Sequence, residues 1–215
     1  MDKSLNNNFT IACDMDDVLM VPHTYVEFSN FLGINEVFSA PLIQYKTGRI
    51  SYESLLNNWF NIMSRISIKD KQEAVKYVVS TISEQTFQFV EKSNELGRFV
   101  IVSNNDGDLV ESIAGKLNVE YIAVNKYIFK YRFVTQRKSE AIKNLKIKID
   151  TAITDDPVNE KDFLDLPGYK NNIIRGIVLG KVGIQHPKTN EYEIVNTLDE
   201  VYEKIFEIKC ELMKF

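Results

Sequence analysis

The chain has 215 residues, of which 44% are hydrophobic and 26% charged, and its formal net charge is −4. This is the composition of an ordinary globular protein with one sizeable core, and the acidic balance excludes a chain built as a whole to hold polyanions. No apolar run approaches the roughly 20 residues of a membrane helix, so we expect no membrane span. Two cysteines, Cys13 and Cys210, are too few for a disulfide framework, which predicts reduced thiols and a cytoplasmic location.

The first predicted element is a buried strand at Thr10–Cys13, inside "FTIACDMDDVL". Residues 22–97 follow with apolar side chains at helical spacing and no comparable strand signal. One crossover between parallel strands needs far fewer residues. We therefore predict a small helical domain at 22–97, inserted into a core made of 1–21 and 98–215. Within the insertion, Asp70 and Glu73 resemble a capping box.

Further apolar runs predict strands at Phe99–Val102, Val119–Val124, Thr151–Thr154 and Ile173–Leu179. Helical patterns separate most of them, which is typical of a parallel sheet covered on both faces. The sequence thus predicts a Rossmann-like α/β fold. A final helix opens with a capping box at Thr197 and Glu200.

Polar side chains follow three of these strands. They are Asp14, Asp16 and Asp17, then Ser103, Asn104 and Asn105, and last Asp155, Asp156 and Asn159. Ordinary helix capping accounts for Asn105 or Asp106 and for Asp156, but not for acidic clusters at two strand ends. In an open parallel sheet these ends meet at one edge. Carboxylates gathered there call for a cation, and oxygen ligands suit Mg²⁺.

An aspartate beside such a cation can act as a nucleophile, and a second aspartate two residues later projects to the same side. Asp14 and Asp16 have this spacing. Lys138, at the start of the helical segment "RKSEAI", is a candidate cation for the phosphoryl oxygens, or alternatively a solvated lysine at a helix start.

These segments resemble the motifs of the haloacid dehalogenase (HAD) superfamily. "DMDDVL" is similar to its first motif, "FVIVSN" to the second, Lys138 to the third and "ITDD" to the fourth. The resemblance implies that Asp14 is the nucleophile, Asp16 the general acid and then base, and that Ser103 and Lys138 hold the phosphoryl group, with Asn104 beside them. It further implies that Mg²⁺ is bound by Asp14, the main-chain carbonyl of Asp16 and Asp155, with Asp156 as a direct or water-mediated ligand.

The insertion stands where this superfamily carries its helical C1 cap, and residues 98–145 distantly resemble the phosphoserine phosphatase-like branch. That branch usually has glycines after the second-motif serine and a Gly-Asp-Gly-x-Asn-Asp fourth motif, which this chain lacks. The substrate therefore does not carry over. Asp16 favours phosphoryl transfer over dehalogenation, because a leaving oxygen needs a proton donor.

We expect a Mg²⁺-dependent phosphatase, or a phosphotransferase, acting on a small phosphorylated metabolite. Arg49 and Lys46 of the insertion are candidates to bind the rest of the substrate, or else lie on a surface loop. The basic stretch from Lys126 to Lys148 is a possible nucleic-acid surface, although we favour a solvated segment that attracts the substrate. A non-catalytic phosphate-binding module is the third alternative. His23 is expected either to line the mouth of the site or to be a hinge or surface histidine.

Overall fold

A computed structural model of the chain describes residues 9–124, 126–127, 133–134, 137–168, 175–180 and 191–214, without the side chains of 46, 52, 126–127 and 133–134. The strands are β1 Thr10–Cys13, β2 Arg98–Ser103, β3 Glu120–Ala123, β4 Lys126–Tyr127, β5 Phe133–Val134, β6 Thr151–Thr154, β7 Gly176–Leu179 and β8 Glu193–Val195. The helices are α1 Thr24–Phe31, α2 Asn35–Lys46, α3 Tyr52–Met63, α4 Ile68–Ser80, α5 Glu84–Leu96, α6 Gly107–Leu117, α7 Lys138–Asn144, α8 Lys161–Leu164 and α9 Leu198–Leu212.

The main sheet has six parallel strands in the order β3-β2-β1-β6-β7-β8. At the end of β1, Cys13 pairs with Ile101 of β2 and with Ile153 of β6. The polar residues that follow these strands therefore share one edge of the sheet. This confirms the predicted Rossmann-like α/β architecture. The antiparallel pair β4–β5 and the edge strand β8 were not predicted.

Alternation along the strands divides the core between the two faces of the sheet. Ile11, Cys13 and Ile101 belong to one apolar cluster, together with side chains of α5, α6 and α9. Ala12 and Val100 belong to a second cluster with side chains of α7 and α8. Both faces are covered, which explains why the strands read as continuous apolar runs.

Five helices, α1 to α5, fill the stretch between β1 and β2. Helix α4 begins at Ile68 with Ser67 as its N-cap, whose hydroxyl accepts the amide of Asp70. The expected capping box at Asp70 and Glu73 is therefore wrong by one turn. Thr197 is confirmed as the N-cap of α9, since its hydroxyl accepts the amide of Glu200, while the Glu200 carboxylate accepts the amide of Asn196 rather than that of Thr197.

Helix α5 packs against β2 and α9, and the rings of Phe89 and Phe99 meet edge to face at 5.9 Å. Helix α2 packs against α3, and α1 packs against α2 and α4. The domain boundary at 97 stays a prediction. In the described part of the chain, no helix is both long and apolar enough to cross a bilayer.

Candidate active site

A tight turn after β1 fixes the positions of Asp14 and Asp16. The amide of Asp14 donates to the carbonyl of Ile153 at 2.9 Å, which extends the β1–β6 pairing by one step. Asp17 has a φ of 58°, and its amide donates to the carbonyl of Met20 at 3.0 Å. The chain thus turns back at the end of the strand, and the carboxylates stay at the edge of the sheet.

Lys138 lies between two carboxylates at this edge. Its Nζ is 2.6 Å from Oδ1 of Asp14 and 2.5 Å from Oε1 of Glu160, and its side chain is only 4% exposed. The Nζ also lies 5.3 Å from the ring centre of Phe163. The interpretation of Lys138 as a solvated lysine is therefore wrong.

Burial and neighbouring charges act on these groups in opposite directions. Burial raises the pKa of Asp14 well above its usual range, the charge of Glu160 raises it further, and Lys138 lowers it. Burial alone would lower the pKa of Lys138, but the pairs with Asp14 and Glu160 outweigh it and raise that pKa above its ordinary value. Lys138 therefore stays protonated and supplies a fixed positive charge, and it does not act as a general acid.

Helix α7 presents Lys138 to the cavity, and a contact with α8 holds the helix in place. The hydroxyl of Ser139 donates to the carboxylate of Asp162 in a short hydrogen bond. Asp162 lies two residues after Glu160. This bond therefore holds the start of α7, which carries Lys138, next to the segment that carries Glu160. Ser139 and Asp162 escape notice in the sequence because each looks like an ordinary residue in a first helical turn.

Both carboxylate oxygens of Asp16 accept hydrogen bonds from the protein. Thr24 donates to Oδ1 through its amide at 2.9 Å and its hydroxyl at 2.6 Å, and Nδ2 of Asn105 donates to Oδ2 at 2.8 Å. His23 brings Nδ1 to 3.3 Å from Oδ1. That nitrogen already accepts the amide of Tyr25, so the approach is not a hydrogen bond through a proton on Nδ1. His23 caps α1 and lines the cavity, which agrees with its predicted position at the mouth of the site, whereas a hinge role stays a prediction.

The residues after β2 include one candidate phosphoryl-binding hydroxyl. Ser103 is buried, and its Oγ accepts the amide of Asn105 at 3.1 Å, which leaves its own proton to be donated. Ser103 and Asn104 both line the cavity. Asp106 is the N-cap of α6, so the capping explanation holds for Asp106, whereas Asn105 instead holds Asp16.

The turn after β6 separates the roles of its acidic residues. Asp155 lies near Asp14 and contributes to its raised pKa. Asp156 caps the turn. Its Oδ1 accepts the backbone amide of Asn159 at 3.0 Å, and its Oδ2 accepts the side-chain Nδ2 of Asn159 at 2.6 Å. Glu160, four residues after Asp156, reaches back to Lys138 and accepts the hydroxyl of Thr154 at 2.7 Å.

The structure therefore places Glu160, and not Asp156, in direct contact with the buried lysine. The sequence carried a signal for this residue, because a spacing of four returns a side chain to the same side of a helical turn. The amide of Glu160 does donate to the carbonyl of Asp156, at 3.1 Å. Asp156 still lines the cavity, so its predicted part in a metal site stays a prediction.

The charges at this edge fit a hard divalent cation. The cavity is lined by carboxylates from three segments, whereas Lys138 is the one lysine or arginine among the described residues that line it. The donors are oxygens, which Mg²⁺ prefers. In the described ranges, no three His, Cys, Asp or Glu side chains form a preassembled metal cluster. Both described contacts of the Asp14 carboxylate fall on Oδ1, from Lys138 and the amide of Met15, so Oδ2 remains for a cation.

The site opens into a cavity of about 630 Å³ between the edge of the sheet and helices α1 to α3. Tyr45 lines this cavity, whereas Arg49 is exposed and does not. The side chain of Lys46 lies outside the description. A second cleft of about 900 Å³ adjoins the first and carries the charged side chains of Arg137 and Lys161.

Solved structures share this fold. A phosphoserine phosphatase from T. onnurineus aligns over 95% of this chain and 97% of its own, at 17% identity and a TM-score of 0.66. A HAD-family hydrolase from Salmonella enterica serovar Typhi aligns over 82% of this chain at 17% identity and a TM-score of 0.60, and the chain spans 64% of that protein's length. A putative HAD hydrolase from Bacillus subtilis, solved with bound magnesium, aligns over 93% of this chain and 99% of its own at 10% identity and a TM-score of 0.57.

At these identities the likeness establishes a common fold. No protein-family model and no curated protein matches the chain.

Proposed function

We propose that this chain, which has the fold of HAD hydrolases and phosphoserine phosphatases, is a Mg²⁺-dependent phosphatase of small phosphomonoesters. The observation that carries the proposal is the contact of buried Lys138 with Asp14, at one end of a cavity that Asp16, Ser103 and Asp155 also line. A nucleophile, a proton carrier, a hydroxyl donor and a fixed positive charge thus come from separate strand ends and one helix. Phosphoryl transfer requires this set, because its catalysis rests on positioning and charge stabilisation.

In the first step, a carboxylate oxygen of Asp14 attacks the phosphorus. An oxygen–phosphorus bond to Asp14 forms while the bond to the leaving alcohol oxygen breaks. Asp16 gives its proton to that oxygen, so the alcohol departs neutral. In the second step, water attacks the phosphorus, Asp16 takes a proton from the water, and inorganic phosphate leaves Asp14.

Lys138 and Ser103 stabilise the transferring group. The positive charge of Lys138 faces the developing negative charge, and the Ser103 hydroxyl donates to a phosphoryl oxygen. Glu160 and Thr154 hold Lys138 in place. Mg²⁺, held by Asp14, Asp155 and the carbonyl of Asp16, would add a second positive charge against the phosphoryl oxygens.

Asp16 must exchange partners during the reaction. In this structure Thr24 and Asn105 satisfy both of its oxygens as acceptors. To act as an acid it must carry a proton and turn one oxygen to the substrate. Thr24 and Asn105 are therefore positioning residues for Asp16.

The test is release of phosphate from an aryl phosphate with Mg²⁺ and with a chelator. We expect turnover only with Mg²⁺, and acid-quenched enzyme should carry one phosphoryl group on the peptide that contains Asp14. Asp14→Asn should abolish both signals. Lys76→Met is the control, because Lys76 pairs with Glu73 on the exposed surface of α4.

Absence of turnover for every phosphomonoester, with Mg²⁺ bound, would favour the non-catalytic module instead. A cytoplasmic location remains part of the proposal and rests on the two free cysteines.

A further inference from the structure

One wall of the cavity comes from helices α1 to α3 of the helical insertion and is mainly apolar. Its members are aromatic or aliphatic side chains of α1, α2 and α3: Tyr25, Phe38, Leu42, Tyr45, Leu55 and Trp59. It lines the same cavity as Asp14, so the organic part of a phosphomonoester bound at Asp14 would extend into a space that this wall borders.

Three of the rings pack into one continuous surface. The ring centres of Tyr25 and Trp59 are 4.7 Å apart, those of Tyr25 and Phe38 5.7 Å, and those of Phe38 and Trp59 6.2 Å. The indole Nε1 of Trp59 donates to the carbonyl of Phe38 at 3.0 Å, so its polar atom is already satisfied. The indole therefore has only carbon surface to offer a ligand.

Serine hydroxyls on the same wall are also engaged within the insertion. Ser29 donates to the carbonyl of Val26 at 3.1 Å, and Ser39 donates to the carbonyl of Glu36 at 3.2 Å. Among the described side chains of residues 24–80, no Lys, Arg, Asp or Glu lines the cavity. Helices α1 to α3 thus bring no charged side chain to the cavity among their described residues. Besides the indole of Trp59, their lining residues with polar side-chain atoms are Tyr25, Ser29, Asn35, Ser39 and Tyr45.

We propose that the preferred substrate is a phosphomonoester whose organic part is neutral and apolar or aromatic, and not an amino acid or another charged body. This inference rests on the proposed phosphatase activity. A carboxylate or ammonium placed against this wall would lose water without gaining a charged partner among the described residues of α1 to α3, which is costly. The cavity, at about 630 Å³, has room for a substrate of drug size beyond the phosphoryl group.

The geometry does not suit a quaternary ammonium group. Aromatic cages for such cations surround them with ring faces. Here the rings of Tyr25, Phe38 and Trp59 pack on one another, and Phe38 and Trp59 are largely buried, so they do not surround a cation with free ring faces.

The first measurement is binding of non-hydrolysable phosphonates in the presence of Mg²⁺, followed through tryptophan fluorescence. Trp59 is the one tryptophan of the chain, is 9% exposed and lines the cavity, so we expect its emission to change when the cavity is occupied. We expect 2-phenylethylphosphonate to bind about tenfold or more tighter than the phosphonate analogues of phosphoserine and phosphocholine, the scale on which apolar pockets discriminate.

The second measurement is kcat/KM for 2-phenylethyl phosphate, phosphoserine and phosphocholine, all of which release alkyl alcohols. In Leu42→Ala, the ratio of kcat/KM for 2-phenylethyl phosphate to kcat/KM for each of the other two substrates should fall close to one. Ile43→Ala is the matched control, because Ile43 is the next residue of α2, is 58% exposed and does not line the cavity.

Measuring both phosphonate binding and turnover distinguishes failure of the substrate inference from failure of the proposed phosphatase activity. Turnover without preference for the apolar compound, or with preference for phosphoserine or phosphocholine, overturns the substrate inference and leaves the phosphatase intact. Tight apolar phosphonate binding without any turnover overturns the phosphatase and retains the apolar site. If phosphoserine is preferred and Lys46→Met removes that preference, Lys46 supplies the missing charge and the inference fails.

Discussion

At the scale of the residue, Lys138 determines whether the buried carboxylates can be tolerated. Lys138→Met would leave Asp14 and Glu160 facing each other without a cation, and removing one partner of a buried ion pair costs about 3–5 kcal/mol. Burial and the charge of Glu160 raise the pKa of Asp14, so ionisation of Asp14 destabilises the folded state. The free energy of unfolding therefore falls as the pH rises through the folded-state pKa of Asp14. We therefore expect the variant to lose more stability at about pH 8 than at about pH 5, measured by thermal unfolding without metal.

Lys161→Met is the comparison for that measurement. Lys161 pairs with Asp165 and Glu191, but its side chain is 52% exposed. An exposed pair contributes about 0–1 kcal/mol. An equal loss of stability in the two variants, or a loss at Lys138 independent of pH, would contradict the assigned charge balance.

Asp16 and its hydrogen-bond donors allow a second prediction. Asp16→Asn should slow alkyl phosphates by about a hundredfold to ten-thousandfold and aryl phosphates less, because aryl leaving groups need less protonation. Asn105→Ala should show the same bias to a smaller extent, since it removes the donor to Oδ2 of Asp16 and to the hydroxyl of Thr24 but leaves the Asp16 carboxylate in place. The measurement is kcat on one alkyl and one aryl phosphate, with Asn58→Ala on the exposed face of α3 as control. Equal slowing of both substrates would remove Asn105 from the positioning role.

Residues that follow a strand directly could be predicted from the sequence, whereas their supporting partners could not. Asp14 and Ser103 come at the ends of apolar runs, and the parallel topology brings those ends together. Thr24 and Asn105 meet Asp16 through side-chain directions that no spacing along the chain encodes. Arg49 was a candidate for its charge alone, and the structure leaves it exposed, away from the cavity.

At the scale of the element, the junction of α5 and β2 depends on Gly97. A Cβ built there would lie 2.2 Å from the carbonyl oxygen of Phe9, which also accepts the amide of Arg98 at 2.8 Å. We expect Gly97→Ala to destabilise the protein by about 1–3 kcal/mol, as overpacking does. The measurement is chemical denaturation, with the midpoint shifted and the slope unchanged.

Gly115→Ala is the matched control for that junction. Gly115 lies in the last turn of α6, and a Cβ there would meet nothing within 4 Å. Alanine should stabilise this helix by up to about 1 kcal/mol. Similar effects at the two glycines would show that the close approach to Phe9 does not matter.

Elements with strong periodic signals could be predicted, and short elements without them could not. Strand β1 matches its expected bounds because it is an uninterrupted apolar run. Strand β8 has three residues at the sheet edge, with Glu193 half-buried, so its pattern is too short to stand out. Helix α4 was expected to start late because Ser67 and Asp70 form the same kind of spaced pair as Asp70 and Glu73.

At the scale of the whole molecule, carboxylates outnumber basic side chains among the described residues that line the cavity at the sheet edge. Six carboxylates line the cavity, from Asp14, Asp16, Asp17, Asp155, Asp156 and Glu160, and one lysine faces them. Such an excess weakens the folded state when no cation is bound, because like charges repel most where water is excluded. Assembling the carboxylates therefore lowers the free energy of unfolding, and a bound cation should raise it again.

Magnesium should therefore stabilise the folded protein measurably. A ligand that binds only the folded state adds about 2.7 kcal/mol at a hundred times its Kd, and each kcal/mol raises the melting temperature of a chain this long by about 2–4 °C. We expect a saturable rise with Mg²⁺ in the wild type, a much smaller rise in Asp155→Asn, and an unchanged rise in Arg49→Ala, whose side chain lies on the exposed surface. Since the readout is thermal unfolding, it does not depend on finding the substrate. A melting temperature indifferent to Mg²⁺ would contradict the proposed metal site, and an equal rise in Asp155→Asn would place the cation elsewhere on the molecule.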